Sequence, residues 1–285
     1  MYHSEGLNMG HEADLDTLRN GLSYIENAAG KLRSLLPLTE SIAAGNACSG
    51  FFSAYFREHH ARRRSLGGVG NTLQIFEENG YSVALGIEVG GRSRPSEVSS
   101  VPQDMIFALL SDCSVHIEVF RSSDEAQDVP MENSVVAHHC TRVLRRGQAL
   151  FIDGARDHVL TWSDTPYVSL VVTRQTMVRH LALRHDSITG TPLYATAASQ
   201  HLSRLQHACN YMAHFGDAEM VPPLQELTRH PAHFIRWKAA EALLNLDFDA
   251  GRRIVDKLRS DPHPHIADAA RLAWTQLQHA NIACH

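Results

Sequence analysis

The segment Gly147-Gln148-Ala149-Leu150-Phe151-Ile152-Asp153-Gly154-Ala155-Arg156-Asp157-His158 leads from a glycine, through an apolar strand and a turn, to a histidine. Alternation along the following strand places Leu160 and Trp162 on the face of His158, so an imidazole and an indole share one surface. A divalent transition metal needs three or four nitrogen or oxygen ligands with a position left open. His138 and His139 stand on the preceding strand pattern, where alternation turns one of them inward, and Glu88 and His116 are further candidates on nearby strands. The plainer reading of each is a hydrogen-bonded or exposed side chain. Arg92, Arg94 and Arg156 fall near the predicted mouth of the β-structure, where guanidinium groups favour an anionic ligand; simple solvation is the alternative.

The chain has 19 histidines, and six of them stand singly in the predicted helical region: His201, His207, His214, His230, His233 and His279. His263-Pro264-His265 is the nearest to a cluster, but Asp261-Pro262-His263-Pro264 also reads as a helix N-cap with rigid turn residues. There is no serine or cysteine in a nucleophile context, no phosphate-cradling glycine loop and no H-E-x-x-H helix.

The elements that must position these residues change character along the chain. From Asp14 to about Gly45, Leu15, Leu18, Leu22, Ile25, then Leu32, Leu35, Leu36, Leu38 and Ile42 recur at helical spacing, interrupted at Gly30 and Pro37. Two short helices are expected there, with a third, amphipathic one on Phe51, Phe52, Tyr55 and Phe56. Beyond the glycines of residues 65–70 the period becomes two. A hairpin turns at Asn79-Gly80, and Tyr81, Val83, Leu85, Ile87 and Val89 alternate on its returning strand. Further strands are expected at 105–110, 115–120, 134–144, 148–152, 158–162 and 168–173. So many short strands in about a hundred residues imply a sandwich or barrel.

The 147–158 segment resembles the second motif of the cupin superfamily, with the glycine and the histidine in register, Asp153 in place of the usual proline and Ala155 in place of the usual glycine. The resemblance implies an antiparallel β-barrel of jelly-roll type and a metal-ligand position at His158 pointing into the barrel. The family's first motif supplies two histidines and a glutamate. Its alignment puts Met105 at the glutamate, and the histidine pair falls within 92–101, which contains no histidine. One retained ligand of four does not hold iron or zinc usefully.

After a connecting hairpin around Ile188-Thr189-Gly190, every segment is helical in pattern. An offset of 31 carries Leu224 to Val255, Leu227 to Leu258, Pro231 to Pro262, Ile235 to Ile266, Ala239 to Ala270, Ala242 to Ala273, Leu243 to Trp274 and Leu246 to Leu277. Such a period is that of stacked helix pairs. TRHPAHFIRWKAAEALLNL and SDPHPHIADAARLAWTQL resemble HEAT repeats, which implies either a partner surface over 222–278 or a brace for the barrel.

The net charge of −5 and pI near 6.4 give no long-range attraction to polyanions, so nucleic acid is not expected as a partner. The five cysteines are scattered and include no C-x-x-C pair, which suits a reducing cytoplasm. No signal-peptide pattern and no apolar run of membrane-spanning length is present.

The expectation is an α+β protein: helices over 1–70, a cupin-like barrel over 71–175, a connecting hairpin over 176–199 and helical repeats over 200–285. The favoured function is metal-free binding of a small anionic molecule beside His158, Trp162, Arg92, Arg94 and Arg156, in an accessory or regulatory protein that forms homodimers. The alternative is a divergent metal-dependent oxygenase or isomerase, with His158, His138 or His139, and Glu88 around iron, zinc, manganese or nickel.

Overall fold

The computed structural model describes residues 16–23, 32–45, 72–90, 93–122 and 134–283. The expected helix at 51–56 and Arg92 lie outside them. The chain divides into two compact units, Met1–Ala195 and Thr196–His285.

In the first unit, helix α1 (16–23), a 3₁₀ turn at Leu32–Leu35 and helix α2 (Leu36–Ala44) precede the sheets. Pro37 does not interrupt α2. It occupies the first turn, where a missing N–H costs no helical hydrogen bond. The strands are β1 (Thr72–Glu78), β2 (Tyr81–Glu88), β3 (Glu97–Ser100), β4 (Met105–Leu109), β5 (Ser114–Ser122), β6 (Val136–Arg145), β7 (Ala149–Ile152), β8 (Asp157–Trp162), β9 (Tyr167–Arg174), β10 (Leu181–Asp186) and β11 (Pro192–Ala197).

One sheet has the order β1-β2-β9-β4-β7 and the other β11-β10-β3-β8-β5-β6. The chain passes back and forth between them, which is the crossing pattern of a double-sheet jelly roll. The expected closed barrel is corrected here: among the described strands neither sheet closes, and β1, β7, β11 and β6 end the two ladders. The hairpin expected as a connector is part of the second sheet, since β10 pairs antiparallel with β3 through His185 and Val98.

Asn79 (φ 53°) and Gly80 (φ 75°) both take positive φ, as the tight turn between β1 and β2 requires. Alternation then sorts the side chains into layers. On one face of the first sheet, Val83, Leu85, Ile106, Ala108, Leu170 and Val172 are buried under Leu18, Leu22, Leu32, Leu35 and Ile42 of the N-terminal helices. On its other face Phe107, Leu109, Leu150, Ile152 and Tyr167 pack with Val115, Ile117, Val119, Leu144 and Val159 of the second sheet. This is the core between the sheets.

The second unit holds α3 (Gln200–Phe215), a 3₁₀ turn (Ala218–Met220), α4 (Val221–Leu227), α5 (His233–Leu246), α6 (Phe248–Leu258) and α7 (Pro264–Ala283). The 31-residue offset carries α4 onto α6 and α5 onto α7. The matched residues Leu224 and Val255, Ile235 and Ile266, and Ala239 and Ala270 are buried in both copies. Small alanines such as Ala239 and Ala270 let the helices approach closely.

Candidate functional site

The turn that delivers His158 is built by side chains rather than by the family's proline and glycine. The Asp153 carboxylate accepts from the Ala155 N–H (2.9 Å), and the Asp153 carbonyl accepts from Arg156 N (3.2 Å) and Asp157 N (2.8 Å). Asp157 in turn accepts from the Asp153 N–H (3.0 Å) and pairs with Arg121 (2.8 Å). Gly154 is needed for closeness: a Cβ there would lie 2.4 Å from the Gln103 carbonyl carbon. The departures from the motif therefore keep the turn and the placement of β8.

Val159 joins the core between the sheets, so alternation turns His158, Leu160 and Trp162 to the opposite face of the second sheet. Leu160 and Trp162 pack there with Val98, Phe120 and Val136. The expectation that His158 points in between the sheets is corrected accordingly.

His158 is fully buried, and neither of its ring nitrogens has a hydrogen-bond partner. Its ring meets that of His185 edge to face, with centroids 4.9 Å apart. His185 is equally buried; one ring nitrogen lies 3.1 Å from the Ser134 hydroxyl and Nδ1 has no partner. Burial, assisted by the nearby Arg179 charge and His185, pushes the His158 pKa down to about 3. Burial also lowers that of His185. Both are neutral imidazoles near neutral pH. The Arg179 guanidinium is itself buried and donates to the carbonyls of Gly154 (3.2 Å) and Ala155 (2.6 Å), fixing the turn below His158.

The other expected residues do not gather around this pair. Trp162 is half-buried and stacks on His116, with centroids 4.9 Å apart. Arg94 is committed to a two-pronged pair with Glu118 (2.7 Å for both contacts) and donates to the Ser187 hydroxyl (2.9 Å) and carbonyl (3.2 Å). That hydrogen bond and the opposite charge hold the Glu118 carboxyl below its usual range. Arg156 is exposed on the turn.

His138, His139 and Glu88 are exposed, and Glu88 belongs to the other sheet. Among the described residues no group of three or more potential metal ligands includes His158. The divalent metal that the cupin resemblance implies does not fit a site of two imidazoles beside a buried guanidinium.

The one such group among the described residues lies in the second unit. His233 begins α5, His263 precedes α7 and His265 sits in its first turn. One ligand atom from each lies within 4.8 Å of the others. The His233 and His263 rings are parallel with centroids 3.7 Å apart, and His265 stands edge-on to both, at 6.5 Å and 5.1 Å.

A buried ion pair holds the two loops together. The Arg236 guanidinium grips Asp261 at 2.6 and 2.8 Å and donates to the carbonyls of His230 (2.9 Å) and Pro231 (3.0 Å). Asp261 accepts from the His263 N–H (2.8 Å). Burial raises the Asp261 pKa, but Arg236 and that backbone N–H outweigh it and leave the carboxyl below its usual range. The expected turn chemistry at Asp261 is present, and so is the histidine group.

No family model matches the chain, and no curated protein matches it. Solved structures similar to the chain include a hydroquinone 1,2-dioxygenase in complex with Cd2+ and 4-hydroxybenzonitrile (15% identity, TM-score 0.30, 42% of this chain and 72% of that one). Others are the DMSP lyase DddQ from Ruegeria pomeroyi (16%, TM-score 0.29, 46% and 64%) and a cupin-2 domain protein from Shewanella frigidimarina (13%, TM-score 0.24, 41% and 89%). At such scores they assign no chemistry to this chain. Among the described residues no helix is long and apolar enough to cross a membrane.

Proposed function

We propose that the jelly-roll unit is a binding module for a small anionic molecule, without a metal at His158, and that the helical unit presents residues 222–278 to a protein partner in an accessory or regulatory role. The observation that carries the reading is the His158–His185 pair. A buried polar group left without a hydrogen bond costs about 1–3 kcal/mol, and such groups in native proteins call for an explanation. Each neutral imidazole offers one N–H donor and one lone pair, so three orphaned nitrogens beside a buried guanidinium are matched by a negatively charged ligand that both accepts and donates hydrogen bonds, as a hydroxy acid or a protonated phosphate does. The same guanidinium opposes a divalent cation. An open cleft lined by Pro223, Glu226, Leu227, Arg229, His230 and Pro231 supports the partner surface.

The test is a thermal-shift screen of tag-free, full-length protein against small carboxylates and inorganic phosphate, run in parallel on His158→Leu, together with metal analysis of the wild type and His158→Ala. The reading expects an anion that stabilises the wild type and not His158→Leu, and a metal content that His158→Ala leaves unchanged. One equivalent of iron, zinc, manganese or nickel that disappears in His158→Ala would establish the metal-enzyme alternative instead.

A further inference from the structure

We infer that His233, His263 and His265 form a binding site for a divalent transition metal of the zinc, copper, nickel and cobalt type, in which the ion ties the start of α5 to the start of α7. The site is separate from the His158 reading and lies in the other unit.

Three observations converge on it. First, three imidazoles from two loops bring one ligand atom each to within 4.8 Å of one another. Zinc bonds imidazole nitrogen at about 2.0–2.1 Å, so tetrahedral ligands stand roughly 3.3–3.4 Å apart. Closing the remaining gap takes a turn of one of the two parallel rings about its Cβ–Cγ bond, because parallel rings aim their lone pairs side by side rather than at one point.

Second, the backbone around the site is held in place. The Arg236–Asp261 pair is nearly buried, with side-chain exposures of 12% and 3%, and it clamps the carbonyls of His230 and Pro231 to the turn that starts His263. Loops fixed in this way need little reorganisation when a metal binds. Asp261 acts here as a positioning residue, since Arg236 occupies its carboxylate.

Third, the ligand chemistry selects the ion. The ligand atoms are three imidazole nitrogens, and among the described residues no carboxylate joins the group, which suits metals that favour imidazole and not magnesium or calcium, which take oxygen ligands. Three protein ligands leave the fourth position to water or another small ligand.

Tag-free, full-length protein stripped with a chelator is titrated with cobalt(II) and then with zinc(II), while visible absorption is followed. The expected result is one equivalent of cobalt with the strong d–d bands of a tetrahedral site, displaced by zinc and unaffected by magnesium or calcium. His233→Ala and His265→Ala each weaken zinc binding by more than the roughly 10–100-fold that losing an outer-shell partner costs. His279→Ala, at an exposed histidine elsewhere on α7, and His158→Ala leave the affinity unchanged.

Should His233→Ala unfold by circular dichroism, His265→Gln, at a half-buried position, decides the matter alone. Full binding retained in both His265→Ala and His265→Gln overturns the site. So does a loss of equal size in His279→Ala, which marks diffuse surface binding, or wild-type protein that takes up no cobalt.

Discussion

Among the described residues, two groups of histidines have opposite surroundings. In the jelly roll, His158 and His185 are sealed from water, meet edge to face and lack hydrogen bonds on three of four ring nitrogens. In the helical unit, His263 and His265 are half-buried, and three rings converge from two helix starts around a clamped turn. The same side chain is thus neutral by burial in one place and multivalent by convergence in the other. A histidine near a family's ligand position predicts less about metal binding than the number of partners the fold brings to it.

The comparison breaks most sharply at the clamp. Asp261→Ala leaves the Arg236 guanidinium largely buried without its carboxylate, and removal of one partner of a buried pair costs about 3–5 kcal/mol. Urea unfolding followed by circular dichroism should show that loss. A change under about 1 kcal/mol would mean that the clamp does not organise the second site.

The next effect is the pH response of the first site. The folded-state pKa of His158 lies at about 3, below its ordinary value of 6.5. Its contribution to stability is therefore complete above pH about 6.5 and is lost as pH falls from there toward 3, because the unfolded chain takes up the proton first. The wild type should lose about 1.4 kcal/mol per pH unit more than His158→Leu over that window. Parallel pH–stability curves would show that His158 titrates normally in the folded protein.

Arg94→Gln leaves the buried Glu118 carboxylate without its two-pronged partner and should cost about 1–3 kcal/mol without altering the anion response. A smaller change is expected from His158→Leu at neutral pH. Removing two orphaned nitrogens from an apolar setting should raise stability by about 1–2 kcal/mol while abolishing anion binding. Destabilisation would point to a packing role.

Local pattern made much of the jelly roll readable. Asn79-Gly80 fixed one hairpin, and Gly147 through His158 marked β7, its turn and β8, because hairpin and strand signals need only neighbouring residues. β3 escaped notice: its four residues, Glu97–Ser100, are too short and too polar to alternate visibly.

His185 was missed for a different reason. It reaches His158 only through the β10-β3-β8 order, which no local feature encodes, although Leu181, Leu183 and His185 do share a face. In the sequence Arg94 has the look of a ligand cation, because its partner Glu118 is distant along the chain. The second site was closer to legible. The 31-residue register makes the 230–233 and 261–264 turns equivalent, and stacking of equivalent turns is what brings His233 to His263.

The clamp also bears on how this helical unit can be engineered. Moving Arg236 forward by the repeat length lands on Ala267, and moving Asp261 back by the same length lands on His230. The bond between successive turns is therefore written once rather than once per repeat. A tandem array made by copying either 31-residue segment would inherit the apolar stacking positions but not the polar latch. A designer extending it must supply an arginine at each position equivalent to 236 and an aspartate at each position equivalent to 261.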